Sequence, residues 1–244
     1  MIAPIDIKVT LDDVPGALTA LGLTHERGRH HDIWFAEVRP GVTDAPFPLL
    51  SNHLIIRIRS GDTDDLTVAL RPCRQGQLAE PWTRPFDTDS VAYRLNWELS
   101  GTHKVLTASA VSERPKGSLA TQMASGTDPL SVLDPAQRQF VVTCTPVGVP
   151  VDHLRALGPV SATTWPGITI DQFDVVIDRW AAGDVDLLEL CHQVVPRQGE
   201  GLDAFESRAF ACQQSLTRSI RRRGLHLADT EVTTECVLAG LTGV

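Results

Sequence analysis

Two arginines spaced two residues apart, Arg57 and Arg59, carry the strongest chemical signal in the sequence. Residues i and i+2 of a strand share a face. The spacing therefore sets two like charges side by side, while Leu54, Ile56 and Ile58 fill the opposite face. Such a pair is costly unless an anion lies between its members, and the planar donor fork of arginine suits phosphate oxygens. Asp6 and Lys8 share a face in the same way, as do Arg94, Asn96 and Glu98, opposite Tyr93, Leu95, Trp97 and Leu99. Arg71 follows Thr67 and Ala69, Asp178 stands before a late turn, and Glu189 stands after it. Carboxylates beside arginines suit divalent cations, which in turn bridge phosphates. A single strand of this kind is ordinarily the solvated face of an antiparallel sheet. Its recurrence on several strands points instead to a charged lining for a polyphosphate and its metal.

Other reactive residue types have blander readings. His30-His31-Asp32 sits at a loop-to-strand junction and reads as solvated loop. Cys191 shares a face with Glu189, but a nucleophilic cysteine needs a depressed pKa, so a lining or core thiol is expected. Trp34, Trp97, Trp165 and Trp180 read as core or mouth aromatics. Trp82, in a Pro-rich loop, is either core or a cover for a ligand. Arg221-Arg222-Arg223 suits the C-terminus of a helix.

The elements that must position these residues follow from hydrophobic periodicity. Strands are expected at 4–10, 32–38, 53–60, 65–71, 91–99, 105–111, 172–180 and 185–194. The turn Ser60-Gly61-Asp62 predicts a hairpin of the third and fourth. Helices are expected at 13–21, from Asp134-Pro135 onward, at 151–157 with Gly158-Pro159 as the stop, at 202–224 and at 233–241. The long one carries Leu202, Phe205, Ala209, Leu216 and Ile220 near one face. A flexible stretch, 112–134, joins halves at about 1–112 and 130–244 of a single domain.

Composition narrows the function classes. The 244 residues are 42% hydrophobic with a formal charge of −8, which argues against disorder and against non-specific nucleic-acid binding. No run of 18 apolar residues and no leader pattern occurs, so neither a membrane partner nor secretion is expected. Five cysteines without a C-x-x-C motif predict a reducing cytoplasm. Only three of the 22 basic residues are lysines: Lys8, Lys104 and Lys116.

At the charged strands the sequence resembles the CYTH superfamily, the triphosphate tunnel metalloenzymes. These include class IV adenylyl cyclases, thiamine triphosphatases and inorganic triphosphatases. The matching pieces are Asp6-Ile7-Lys8, Leu54 to Arg59, Leu66 to Pro72, Tyr93 to Glu98, Leu154 to Pro159 and Leu187 to Leu190, in order and spacing. The resemblance implies an α+β fold, an antiparallel eight-stranded β-barrel or tunnel with flanking helices. It implies a phosphate-binding set of Lys8, Arg57, Arg59, Arg71 and Arg94. It also implies Mg²⁺ or Mn²⁺ held by Asp6, Glu98 and Glu189, with Glu98 and Glu189 as the catalytic carboxylates. Water positioned by a carboxylate would attack the terminal phosphorus in line; in a cyclase the ribose hydroxyl replaces the water.

The sequence departs from the family pattern Glu-x-Glu-x-Lys. The first glutamate falls on Pro4 and the second on Asp6. Expected lysines fall on Ala69 and Glu235, and an expected acid on Asn96. Two readings follow. One is a metal-dependent phosphohydrolase acting on a triphosphate or related phosphorylated small molecule. The other is a repurposed tunnel that binds or transforms an anionic organic metabolite without hydrolysing triphosphate. A small-molecule partner is expected in both, with a homodimer open in either.

Overall fold

Alternating Ile5, Ile7 and Val9 build the first strand, β1 (Ile5–Leu11), and Asp13 caps the helix behind it, α1 (Val14–Ala20), by accepting from the Gly16 N–H. In this computed structural model, which describes residues 2–228 and 233–242, the remaining strands are β2 (Arg29–Val38), β3 (Leu54–Gly61), β4 (Asp64–Cys73), β5 (Phe86–Asp87), β6 (Ala92–Ser100), β7 (His103–Arg114), β8 (Leu154–Ile170), β9 (Phe173–Ala182) and β10 (Val185–Val194). The remaining helices are α2 (Pro48–Ser51), α3 (Ser118–Ala124), α4 (Pro135–Cys144), α5 (Leu202–Arg222) and α6 (Thr233–Thr242). Among the described residues no helix is long and apolar enough to cross a membrane.

The strands hydrogen-bond in the order β1-β10-β9-β8-β2-β3-β4-β7-β6-β5, and β1 also pairs in parallel with β6. The order closes through nine strands, with the two-residue β5 attached to β6. The fold is a mixed β-barrel with flanking helices, which corrects the expected eight antiparallel strands. The extra strand is β8 (Leu154–Ile170), where the periodicity predicts a helix at 151–157. Gly158 is not a helix stop. Its φ of 135° lets the strand pass Ile33, whose carbonyl oxygen would lie 2.6 Å from any Cβ at that position. The parallel pair of β1 and β6 joins segments about 90 residues apart, so no turn announces it.

The chain forms two compact units from interleaved segments. One comprises Met1–His30, Asn96–Lys104 and Ser161–Val244, the other His31–Leu95 and Val105–Val160. β2, β6, β7 and β8 each contribute residues to both units.

The first unit's core lies between its strands and α5. Ile5, Ile7, Leu188, Leu190 and Ile177 of the sheet meet Phe205, Ala209, Leu216 and Ile220 of the helix. Leu202, expected on this stripe, lies in the helix's first turn and is 52% exposed. The triple arginine is a helix-end clamp as expected: Arg222 and Arg223 reach the Asp171 carboxylate at 3.0 and 2.7 Å. Hydrogen bonding from Arg223 holds that carboxyl at about 2. Lys104 lies over the Trp97 ring and pairs with Glu206.

In the second unit Trp82 is core, 1% exposed and packed on Phe86, Tyr93 and Phe140, so the ligand-cover alternative falls. The stretch 112–134 is not a flexible joint. It holds the end of β7, α3 and a 3₁₀ turn at Pro129–Val132. Leu119 and Met123 bury one side of α3, and Asp64, fully buried in β4, anchors its start. Asp64 accepts from Leu119 N–H at 2.9 Å, Ser60 Oγ at 2.9 Å and Gly61 N–H at 3.3 Å. Burial alone would raise its carboxyl. The donors of Leu119, Gly117, Ser60 and Gly61 outweigh that and hold it below the usual range. Asp64→Ala is expected to cost about 3 kcal/mol at pH 7, because it strands buried donors of a charged acceptor. A depressed carboxyl stabilises above its unfolded pKa and loses that contribution as pH falls through the folded one. Urea melts of both forms should therefore converge below about pH 4.

Candidate active site

In the first unit the polar face of β1 carries Asp6, Lys8 and Thr10, because Ile5, Ile7, Val9 and Leu11 take the core face. Register brings matching residues beside them: Gln193 lies across from Asp6, Cys191 from Lys8 and Glu189 from Thr10, with Glu98 beside Asp6 on the parallel side. Asp178 in turn pairs with Glu189 on β9, and Thr164 donates to its carboxylate.

Lys8 is the hub. Its Nζ lies 3.1 Å from Glu189 Oε1 and 3.3 Å from Glu98 Oε2. The two glutamates are only 8–9% exposed, so the ammonium compensates charges that burial would otherwise penalise heavily. Asp6 is held differently. Asn96 Nδ2 donates to one of its oxygens at 3.1 Å and Gln193 Nε2 to the other at 2.8 Å. Burial raises the Asp6 carboxyl, the Gln193 bond and Lys8 pull it down, and Glu98 pushes it up. Burial, then Asp6, pushes the Cys191 thiol up to about 12. At neutral pH it is a protonated lining thiol, not a nucleophile.

The residues expected to hold a metal can be tested on this geometry. A resident divalent ion needs several oxygen ligands turned to one point. Among the described residues no group of three or more His, Cys, Asp or Glu is placed to do so. The position between Glu98 and Glu189 is taken by the Lys8 ammonium, and both Asp6 oxygens face amide donors. Among the described residues, then, Asp6, Glu98 and Glu189 are not gathered as three ligands around one point.

In the second unit Arg57 and Arg59 do share a face of β3, with Leu54, Ile56 and Ile58 buried on the other. The anion between them is a side chain of the neighbouring strand, which the spacing within β3 does not reveal. Asp65, 3% exposed on β4, pairs with Arg59 and lies 3.8 Å from Arg57 Nη2, while Thr67 Oγ1 accepts from Arg57 at 3.2 Å. The signal was present: the predicted hairpin sets Arg59 across from Asp65 and Arg57 across from Thr67. Arg71, two residues beyond Ala69, is half-buried on β4. Arg94 is exposed and committed to the β5–β6 hairpin, where it pairs with Asp87 at 2.7 Å and donates to the Phe86 carbonyl. His31 is not loop but strand, 5% exposed in β2.

No protein-family profile and no curated protein matches the sequence. Solved structures do. A protein from Bacillus halodurans, named as a candidate adenylate cyclase, shares 11% identity over 96% of both chains with a TM-score of 0.58. A candidate adenylyl cyclase from Hippeastrum, described as having a dominant triphosphatase activity, shares 12% identity over 96% of this chain and 93% of its own, with a TM-score of 0.53. The chain has the CYTH fold.

The departures from the CYTH motif acquire physical roles in this fold. Pro4, in place of the first glutamate, uses its carbonyl to accept the Trp97 N–H at 2.8 Å. Asn96, in place of an acid, is a donor to Asp6, which a carboxylate could not be. Ala69, in place of a lysine, is 7% exposed. Glu235, at the other lysine position, is exposed on α6.

Proposed function

We propose that the chain is a CYTH-type phosphohydrolase acting on a triphosphate or related phosphorylated small molecule. The observation that carries this reading is the Lys8 ammonium set between two buried carboxylates, Glu98 and Glu189, on the polar face of β1. The triphosphatase activity described for a protein of the same fold supports it. The lysine offers donors and positive charge to the oxygens of the terminal phosphoryl group. One carboxylate of the pair orients a water in line with the phosphorus and takes its proton as the bond to the leaving phosphate oxygen breaks. The products are inorganic phosphate and the shortened chain. No step uses a resident metal; Mg²⁺ or Mn²⁺ enters as the counter-ion of the triphosphate and belongs to the substrate. In the second unit Arg57 and Arg59 supply anion affinity of their own.

A second reading rests on Asp6. Its two amide partners replace the surroundings of a metal ligand, which favours a repurposed site that binds or transforms an anionic organic metabolite without hydrolysis. Phosphate release from tripolyphosphate, thiamine triphosphate and ATP, each with Mg²⁺ or Mn²⁺, separates the two. Release that drops about 100-fold or more in Glu189→Gln is expected. Release no greater than that of Glu189→Gln on every substrate would overturn the hydrolase reading in favour of the second.

A further inference from the structure

His31 stands at the edge of the arginine pair with chemistry that nothing above uses. It is 5% exposed, and neither ring nitrogen has a hydrogen-bond partner. Buried polar atoms are nearly always bonded, so such an imidazole is rare as a purely structural residue. Register places it on the arginine face. Ile33 lies across from Arg59 and Phe35 across from Arg57, so His31, two residues before Ile33, shares their side of β2 and is a diagonal neighbour of Arg59. Diagonal cross-strand neighbours lie within reach of long side chains. The residue across from His31 is Gly61, which has no side chain to cover the ring.

The charges around His31 are uneven. Arg57 and Arg59 come from β3, Asp62 from the turn and Asp65 from β4, with Glu113 the cross-strand partner of Asp65 on β7. Asp32, next in sequence, falls on the opposite face of β2. Burial first, then Arg59, holds the His31 ring below its usual range, so it is neutral at pH 7. Asp65 touches both arginines and offsets part of their charge. A protonated His31 would add a second positive charge beside Arg59.

We propose that His31 is a proton-linked specificity residue: it takes up one proton when a dianionic phosphate group binds Arg57 and Arg59, and becomes the third donor of that site. The inference rests on the reading above that the arginine pair binds phosphate oxygens. The proton comes from solvent, and an N–H to oxygen bond forms at the ring. Affinity for a dianion then falls about tenfold per pH unit above the pKa of the complex, while a monoanion gains little from the second charge.

Sulfate is a suitable probe because it stays dianionic near neutrality. Calorimetric titration with sulfate and with tripolyphosphate, in two buffers of different ionisation enthalpy, counts the protons taken up. About one proton per sulfate is expected in the wild type and none in His31→Asn, which should keep weaker binding. The His31 ring resonance, followed by NMR in the wild type alone, should titrate below its usual range without sulfate and at least one pH unit higher with it. This second readout needs no variant to fold. Failure of the wild type to bind either anion, or binding unchanged in Arg57→Gln, would overturn both the arginine reading and the inference. Binding lost in Arg57→Gln but without proton uptake, or with uptake retained in His31→Asn, would overturn the role of His31 alone.

Discussion

Lys8→Met is expected to cost the fold about 2–4 kcal/mol and to lower phosphate release by about two orders of magnitude. Methionine keeps much of the apolar stem and removes the ammonium. It leaves Glu98 and Glu189, each under a tenth exposed, with their shared cation gone. Removing one member of a buried ion cluster is more damaging than replacing the whole cluster, because the remaining charges stay desolvated. The 21% exposure of the lysine side chain keeps the cost below that of a fully buried pair. The pH trend should identify the cause. With the lysine gone, two buried carboxylates are left without their shared cation, a penalty that exists only while they are ionised and so grows with pH. The variant should therefore be less stable at pH 8 than at pH 5 relative to wild type, in thermal melts at matched ionic strength. A variant equally destabilised at both pH values would show that packing of the stem, not charge, is what Lys8 contributes. The same variant tests the metal geometry: Mn²⁺ alone should not bind the wild type in spin-resonance titrations, whereas the freed carboxylate pair should bind it weakly.

Asp65→Asn should have the second largest effect and an unusual remedy. Asp65 is the internal anion of the arginine pair, in contact with Arg59 and 3.8 Å from Arg57. Asparagine keeps the size and loses the charge, so two guanidinium groups on one strand face are left without it. A loss of about 1–3 kcal/mol is expected at low salt, part of it the strain of like charges side by side. An added dianion should reverse it. A ligand at a hundred times its Kd stabilises by about 2.7 kcal/mol, so sulfate or phosphate should raise the variant's Tm more than the wild type's. Equal shifts in both proteins would mean that the arginines are not an anion site, and that Asp65 completes a purely structural cluster.

The sequence by itself determined the local periodicities and what they select. Alternation in β1, β3 and β6, the hairpin of β3 and β4, the Asp13 and Asp134 caps and the amphipathic α5 are all consequences of neighbouring residues. So is the sharing of faces by Asp6 with Lys8 and by Arg57 with Arg59. Even the Arg59–Asp65 contact lay within the reach of register arithmetic across one turn. Where a local signal was ambiguous, tertiary packing decided. Residues 154–157 are apolar enough for a helix or a strand, and the passage of Gly158 against Ile33 made them strand. Long-range pairing decided the rest. Lys8 meets Glu189 across 181 residues and Asp6 meets Gln193 across 187, because β1 hydrogen-bonds to β10. Glu98 joins them through a parallel pairing that no turn encodes. A charged side chain read from spacing has a face but no partner. The lysine became a cation of the carboxylates, and an aspartate an anion of the arginines, only when the strands were laid side by side.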